Sequence, residues 1–183
     1  MKSYKKPDLK NKKFSIIVKL FASLILLLTL ACGGGKKSGS ADVVKDFQKL
    51  SELINNREFE IENEWLLPLS GPMINLIGNP NHIRFKGDSV DVFLPFFGVR
   101  QSGGGYGRDG GITYKGIAKN LNIVEDSAKN NILLNFEGNE GSENLEFYIT
   151  LYPGGSARTS VNSSQRQAIS YRGNVKALPK EKM

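Results

Sequence analysis

Leu145-Glu146-Phe147-Tyr148-Ile149-Thr150-Leu151 alternates apolar and polar side chains without a break, and Tyr152-Pro153-Gly154-Gly155 then stops it. Successive side chains of a strand point to opposite faces, so a period of two predicts one buried and one solvated face. Proline and glycine together make the turn. The pattern resumes in Ala157, Thr159 and Val161, and again in Ile169, Tyr171 and Val175. Upstream it is present in Ile132, Leu134 and Phe136, in Val90, Val92 and Leu94 (ended by Pro95), and in Ile83 and Phe85. Lys86-Gly87-Asp88-Ser89 reads as a hairpin turn. Ile112 to Ile117, Leu121 to Val124 and a short run from Met73 to Ile77 are weaker strand candidates. The first strand sets Phe59, Ile61 and Trp65 against Glu58, Glu60, Glu62 and Glu64. Its apolar face is interrupted by Asn63, and its acidic face reads as a solvated one.

Only one stretch departs from this period. From Asp42 to Asn56, Val43, Val44, Phe47, Leu50, Leu53 and Ile54 recur at spacings of three and four, which predicts one amphipathic helix with Ser40 or Asp42 as its cap. The fold class is therefore all-β with one N-terminal helix. Nine or ten short strands form an antiparallel meander that closes as a barrel or folds into two layers. The connections are too short to hold the helices that parallel crossovers need.

Charge divides the chain differently. Of 25 basic and 18 acidic residues, seven lysines and Asp8 fall within residues 1–31, so the leader carries +6 of the net +7. The remainder is nearly neutral and offers no phosphate-tracking surface, which argues against nucleic acid as a partner. A polar, lysine-rich start is followed by an apolar run of 13 residues, Leu20 to Cys32. A membrane-spanning helix needs about 20 residues and a signal-peptide apolar region about 7–15. The leader thus reads as a secretory signal.

Few motifs carry chemistry. Gly105-Tyr106-Gly107-Arg108-Asp109-Gly110 fits the spacing of a dinucleotide loop, but Ile112-Thr113-Tyr114-Lys115 reads as strand where that loop opens a helix. No Gly-Lys-Ser/Thr ending makes a phosphate loop. His82 is the only histidine and Cys32 the only cysteine, so neither a multi-histidine nor a cysteine metal site is expected, and no cofactor. His82 reads as a surface or strand-edge residue. Leu94-Pro95-Phe96-Phe97-Gly98 is the most unusual stretch, because adjacent aromatics after a strand-ending proline point in different directions. Phe96, Phe97, Arg100 and Tyr106 are the candidate contacts for a ligand or partner, set on a glycine-rich loop.

Two resemblances follow. Leu28-Thr29-Leu30-Ala31-Cys32 resembles the lipobox of bacterial lipoproteins, with Thr29 at a position usually held by leucine. It implies cleavage before Cys32, acyl chains on that residue and attachment to a membrane. Gly33 after the cysteine implies onward passage to the outer membrane, and the lack of an acidic cluster after Cys32 implies a position facing the periplasm. The organisation expected is a signal peptide over 1–31, a flexible tether over 32–41, one β domain over 42–178 that opens with the helix, and a tail over 179–183.

The second lies in the body. Pro72-Met73, Ile74-Asn75-Leu76, Gly87-Asp88-Ser89-Val90, Leu94-Pro95-Phe96-Phe97-Gly98, Gly111-Ile112 and Arg166-Gln167-Ala168-Ile169-Ser170-Tyr171-Arg172-Gly173 together resemble the bacterial domain-of-unknown-function family 4251, over about residues 45–178. Phe96 stands where that family usually has tyrosine. The resemblance implies a secreted or lipid-anchored envelope protein and assigns no activity.

These readings converge on a lipid-anchored, non-enzymatic binding or interaction module of the cell envelope, whose partner is an envelope protein or a small apolar or glycan ligand. Alternatives are a hydrolase of envelope carbohydrate or lipid and a purely structural lipoprotein. Metabolic labelling with a fatty-acid analogue is expected to mark the wild type and not Cys32→Ala. Equal labelling of both would refute acylation at that position.

Overall fold

A computed structural model of the chain describes residues 40–101 and 110–179. The leader, Cys32, the tether up to residue 39, Tyr106 and the last four residues lie outside the described residues. Among the described residues one helix, α1 (Ser40–Asn55), precedes ten strands. These are β1 (Glu58–Pro68), β2 (Ile74–Asn75), β3 (His82–Lys86), β4 (Ser89–Leu94), β5 (Ile112–Ile117), β6 (Lys119–Asp126), β7 (Asn131–Glu140), β8 (Glu143–Leu151), β9 (Ser156–Ser163) and β10 (Ile169–Ala177). Every ladder is antiparallel, in the order β5-β4-β3-β1-β10-β9-β8-β7-β6, with β2 beside β1. Of the two expected shapes the sheet takes the barrel, nearly closed.

The closure comes from the shortest link in the chain. β5 and β6 end the strand order, yet Ala118 alone separates them. One residue cannot turn a hairpin. The chain instead runs on as a single bent strand, whose first half pairs with β4 and whose second half pairs with β7. At the changeover the Ala118 amide donates to the Asp88 carbonyl at 2.9 Å. The ladder slips a register between Lys119 and Asn122, where Asn120 adopts a φ of 51°. Tyr114 of β5 is buried against β7, and its hydroxyl donates to the Ile117 carbonyl at 2.6 Å. Its ring lies so close over Gly138 that a Cβ there would come within 2.7 Å of it.

Inward side chains fill the interior. Phe59 and Phe85 face each other on β1 and β3, and Phe136 and Phe147 do so on β7 and β8. Ring centroids are 4.8 Å apart in the first pair, 4.4 Å in the second and 5.3 Å between Phe85 and Phe136, so a row of phenyl rings crosses the barrel. Each such contact contributes about 0.5–1.5 kcal/mol beyond area burial. α1 begins two residues earlier and ends one residue earlier than the periodicity predicts. Leu50 and Ile54 are buried, with Phe47 and Leu53 packed against the same core. The helix stops where Arg57 takes a left-handed φ of 53° and donates its amide to Ile54 O at 3.0 Å. Among the described residues no helix is long and apolar enough to cross a membrane.

Three expectations change. Trp65 does not continue the apolar face of β1, because a bulge between Asn63 and Trp65 adds a residue and shifts the alternation. Leu66 takes the core position, and Trp65 stands opposite Arg172 on the outer wall. Asn63 is buried, and the Asn81 side chain serves the bulge as a missing strand would. Asn63 N donates to Asn81 Oδ1 at 2.8 Å, and Asn81 Nδ2 donates to Asn63 O at 2.9 Å. Of Met73–Ile77 only Ile74 and Asn75 are strand, since Asn75 Oδ1 accepts from the Ile77 amide at 2.8 Å and turns the chain.

The acidic face of β1 is solvated except at Glu60, which is buried. Direct cross-strand pairing places Lys115, Asp91, Arg84, Glu60 and Lys176 in one row over five strands, alternating in sign. Lys115 lies 3.3 Å from Asp91, and Glu60 takes Arg84 on one side and Lys176 at 3.3 Å on the other. Burial opposes ionisation of Glu60, but hydrogen bonds and charge from Arg84 and Lys176 outweigh it and hold the carboxyl below its ordinary range. His82 is half-buried in the outer wall, its Nε2 3.4 Å from Asp91.

Gly138→Ala tests the closure. We expect a loss of about 1–3 kcal/mol, read as a lower urea midpoint with unchanged slope. A variant as stable as the wild type would mean that β5 and β7 do not meet there.

Candidate functional site

The two ends of the barrel are built differently. α1 covers the end that carries the turn at Gly154–Gly155. The other end gathers the segments around residues 95–101, 110–111, 142–143 and 163–168. This rim contains the Leu94–Gly98 stretch that stands out in the sequence.

Arg166 and Glu143 organise the rim. Both are buried, and they pair through two parallel contacts: Nε to Oε1 at 2.7 Å and Nη2 to Oε2 at 3.0 Å. Such a fork fixes orientation as well as distance. The remaining donor, Nη1, reaches the carbonyls of Gly111 at 2.7 Å and Gly110 at 3.3 Å. One guanidinium therefore ties the start of β8 to Gly110 and Gly111, just before β5. Arg100 approaches from the other side, with Nη2 3.4 Å from Glu143 Oε2 and 3.2 Å from Gln165 Oε1. The Ser163 hydroxyl also donates to Glu143. Burial opposes the Glu143 charge; hydrogen bonds from Arg166 and Ser163, and the charges of Arg166 and Arg100, overcome it and keep the carboxyl below its ordinary value. Tyr171 donates its hydroxyl to Pro95 O at 2.8 Å, and burial pushes its phenol far up, so it stays neutral.

The four candidate contacts separate on this frame. Phe96 is half-buried with Arg166 above its ring, 5.2 Å from the centroid. Its ring folds back over Gly98, where any Cβ would come within 2.8 Å of it. Arg100 is held at Glu143 and forms an isolated bridge with Arg166. Phe97 points outward, 52% exposed, and Val99 beside it is 59% exposed. Tyr106 lies outside the described residues. The backbone that follows Phe97 is held at Val99 and Gln101. Gln101 N donates to Gln165 O at 2.7 Å and Gln167 N donates to Val99 O at 3.1 Å, so the segment adds a short rung beside the start of β10.

Sequence reasoning missed Glu143 and the ion-pair role of Arg166. They lie 23 residues apart on different elements, with no local spacing to link them. The available signal was Glu143 itself, a carboxylate at the first inward position of the most clearly alternating strand. Among the described residues no group of three or more His, Cys, Asp or Glu is placed to hold a metal.

A family model, that of the Domain of unknown function (DUF4251), matches residues 43–175. Among solved structures, the crystal structure of a DUF4251 family protein from Bacteroides eggerthii DSM 20697 is similar in fold. It has a TM-score of 0.58 and 19% identity, and the match covers 75% of this chain and 91% of that one. No curated protein matches the chain.

Glu143→Gln is expected to cost about 3 kcal/mol or more at neutral pH, because Arg166 is left buried against a neutral amide. The folded pKa of Glu143 lies below the ordinary 4.5. The unfolded chain therefore binds this proton more readily, and the charge-dependent stabilisation is complete above about 4.5 and lost as pH falls through the folded value. Urea unfolding of both proteins over an acid series should show the gap narrowing in that direction. A constant gap would mean that the pairing does not depend on the charge.

Proposed function

We propose that this chain, which belongs to the DUF4251 family, is a lipid-anchored cell-envelope module that faces the periplasm and binds its partner without catalysis. Cys32 is the anchor in this reading. The lysine-rich leader, the apolar run of 13 residues and the Ala31-Cys32 junction support it.

One observation carries the binding role: Phe97 is presented outward between neighbours that are held on both sides. Phe96 is fixed beneath Arg166, Gly98 admits its ring, and residues 99–101 are hydrogen-bonded to residues 165–167. An aromatic side chain held in this way loses little freedom on binding. Phe97 and Val99 form the contact, and the partner is an envelope protein or a small apolar or glycan ligand. The two buried carboxyls among the described residues, Glu60 and Glu143, are both held in ion pairs with lowered pKa values, so neither is poised as the protonated acid of a glycoside hydrolase.

The test is Phe97→Ala, with deletion of Gly103–Gly105 as a second variant. Substitution at so exposed a site should move stability by no more than about 0.5 kcal/mol. Envelope components cross-linked to the wild type should be lost from both variants. Unchanged capture and unchanged envelope phenotypes in both would end this reading.

A further inference from the structure

We propose that Arg158 and Arg172, on the outer wall of the barrel, form a binding site for a phosphoryl group. The two arginines are direct cross-strand partners on β9 and β10, so their side chains leave the same face side by side. Like charges in that position repel. Along the row from Lys115 to Lys176 the direct partners alternate in sign, although Glu137 and Glu146 make a second like-charged pair on the outer wall. Here the alternation fails, and among the described residues neither arginine has an ion-pair partner. Arg158 instead rests over the Tyr152 ring, 5.8 Å from its centroid.

The surroundings fit an oxyanion. The arginines line an open hollow of about 500 Å³ together with Ser156, Tyr152, Asn174 and Glu64. Asn174 and Ser156 form the next outward-facing pair along the same two strands. Gly173 and Ala157 lie between the two pairs and belong to the inward face, so no side chain stands between the pairs on the outer wall. Two guanidinium groups and the hydroxyls of Ser156 and Tyr152 offer more donors than a planar carboxylate can use, and a tetrahedral phosphoryl group has the oxygens to accept them. Glu64, the one anion in the lining, accepts from Asn174 Nδ2 at 2.8 Å through Oε1 and is outnumbered by the two guanidinium charges. A lipid headgroup and a soluble phosphate share this chemistry. The site uses residues distinct from Phe97 and Val99, so its failure leaves the rim reading intact, and the reverse holds too.

The experiment uses the mature chain, residues 32–183, carrying Cys32→Ala, so that neither the basic leader nor acyl chains contribute, with R158Q/R172Q and R158E made on that background. Inorganic phosphate is titrated against chloride at matched ionic strength and followed by thermal unfolding and calorimetry. We expect phosphate to raise the melting temperature of the parent. Binding should weaken about tenfold or more in R158Q/R172Q. R158E should lose the response while melting higher than the parent in chloride, because it supplies Arg172 with a carboxylate. Co-sedimentation with phosphatidylglycerol and phosphatidylcholine vesicles separates the sources. Retention on phosphatidylglycerol alone, lost in R158Q/R172Q, assigns a lipid headgroup. A phosphate response without such retention assigns a soluble phosphate. No phosphate response in the parent, or an equal one in all three proteins, overturns the site.

Discussion

Ala118 gives the chain one residue in which to leave β4 and join β7, and much of the barrel follows from that brevity. A longer link would let β5 and β6 fold back on each other and leave the sheet open. With one residue the strand must continue, and the two borders of the sheet become consecutive halves of the same segment. The interior then has a fixed width, filled by the phenyl row from Phe59 to Phe147. Tyr114 over Gly138 marks where the two borders approach, and close packing leaves no slack for a change of volume there.

The two ends solve the same problem with different physics. At one end Leu50 and Ile54 of α1 close the core through apolar burial, which is non-directional and tolerates small shifts. At the other, Arg166 and Glu143 do so with a forked ion pair that demands one geometry. A buried pair of this kind adds little net stability, because desolvation offsets most of the attraction. Its value lies in specification: it fixes residues 110–111, the start of β8 and, through Arg100, the segment that bears Phe97. Pre-organisation at the rim is therefore purchased with charge, while most of the stability comes from the barrel and its helix.

The strands were legible because their period is local. Leu145 to Leu151 needs no partner to reveal its faces, and β7, β9 and β10 read in the same way. Three things were not legible, for one reason. The bulge at Asn63–Trp65 depends on Asn81, 18 residues away. The burial of Glu60 depends on Arg84 and Lys176. The choice of barrel over two layers depends on what β5 and β6 each pair with. All are properties of contacts between elements, and a single sequence records only the residues that make them. The candidate site was half legible: Leu94–Gly98 was visible as an oddity, whereas the ion pair that explains it was not. Phe96 and Gly98 are joined by a ring lying over a backbone, and Phe97 is exposed because Phe96 is not.

α1 does more than fill the barrel end. Ser51 donates to Glu125 on β6, and Asn55 Nδ2 reaches the same carboxylate at 3.2 Å, so the helix is pinned to a border strand. A bare border offers unpaired backbone groups to the edge of another molecule, which is how native sheets come to polymerise. The helix holds on through a few hydrogen bonds and a narrow apolar stripe, and elements of that kind open locally long before the whole molecule unfolds. Undocking of α1 would bare this border. Two sequences of equal overall stability can differ in shelf life if they differ in how often Ser51 and Asn55 let go.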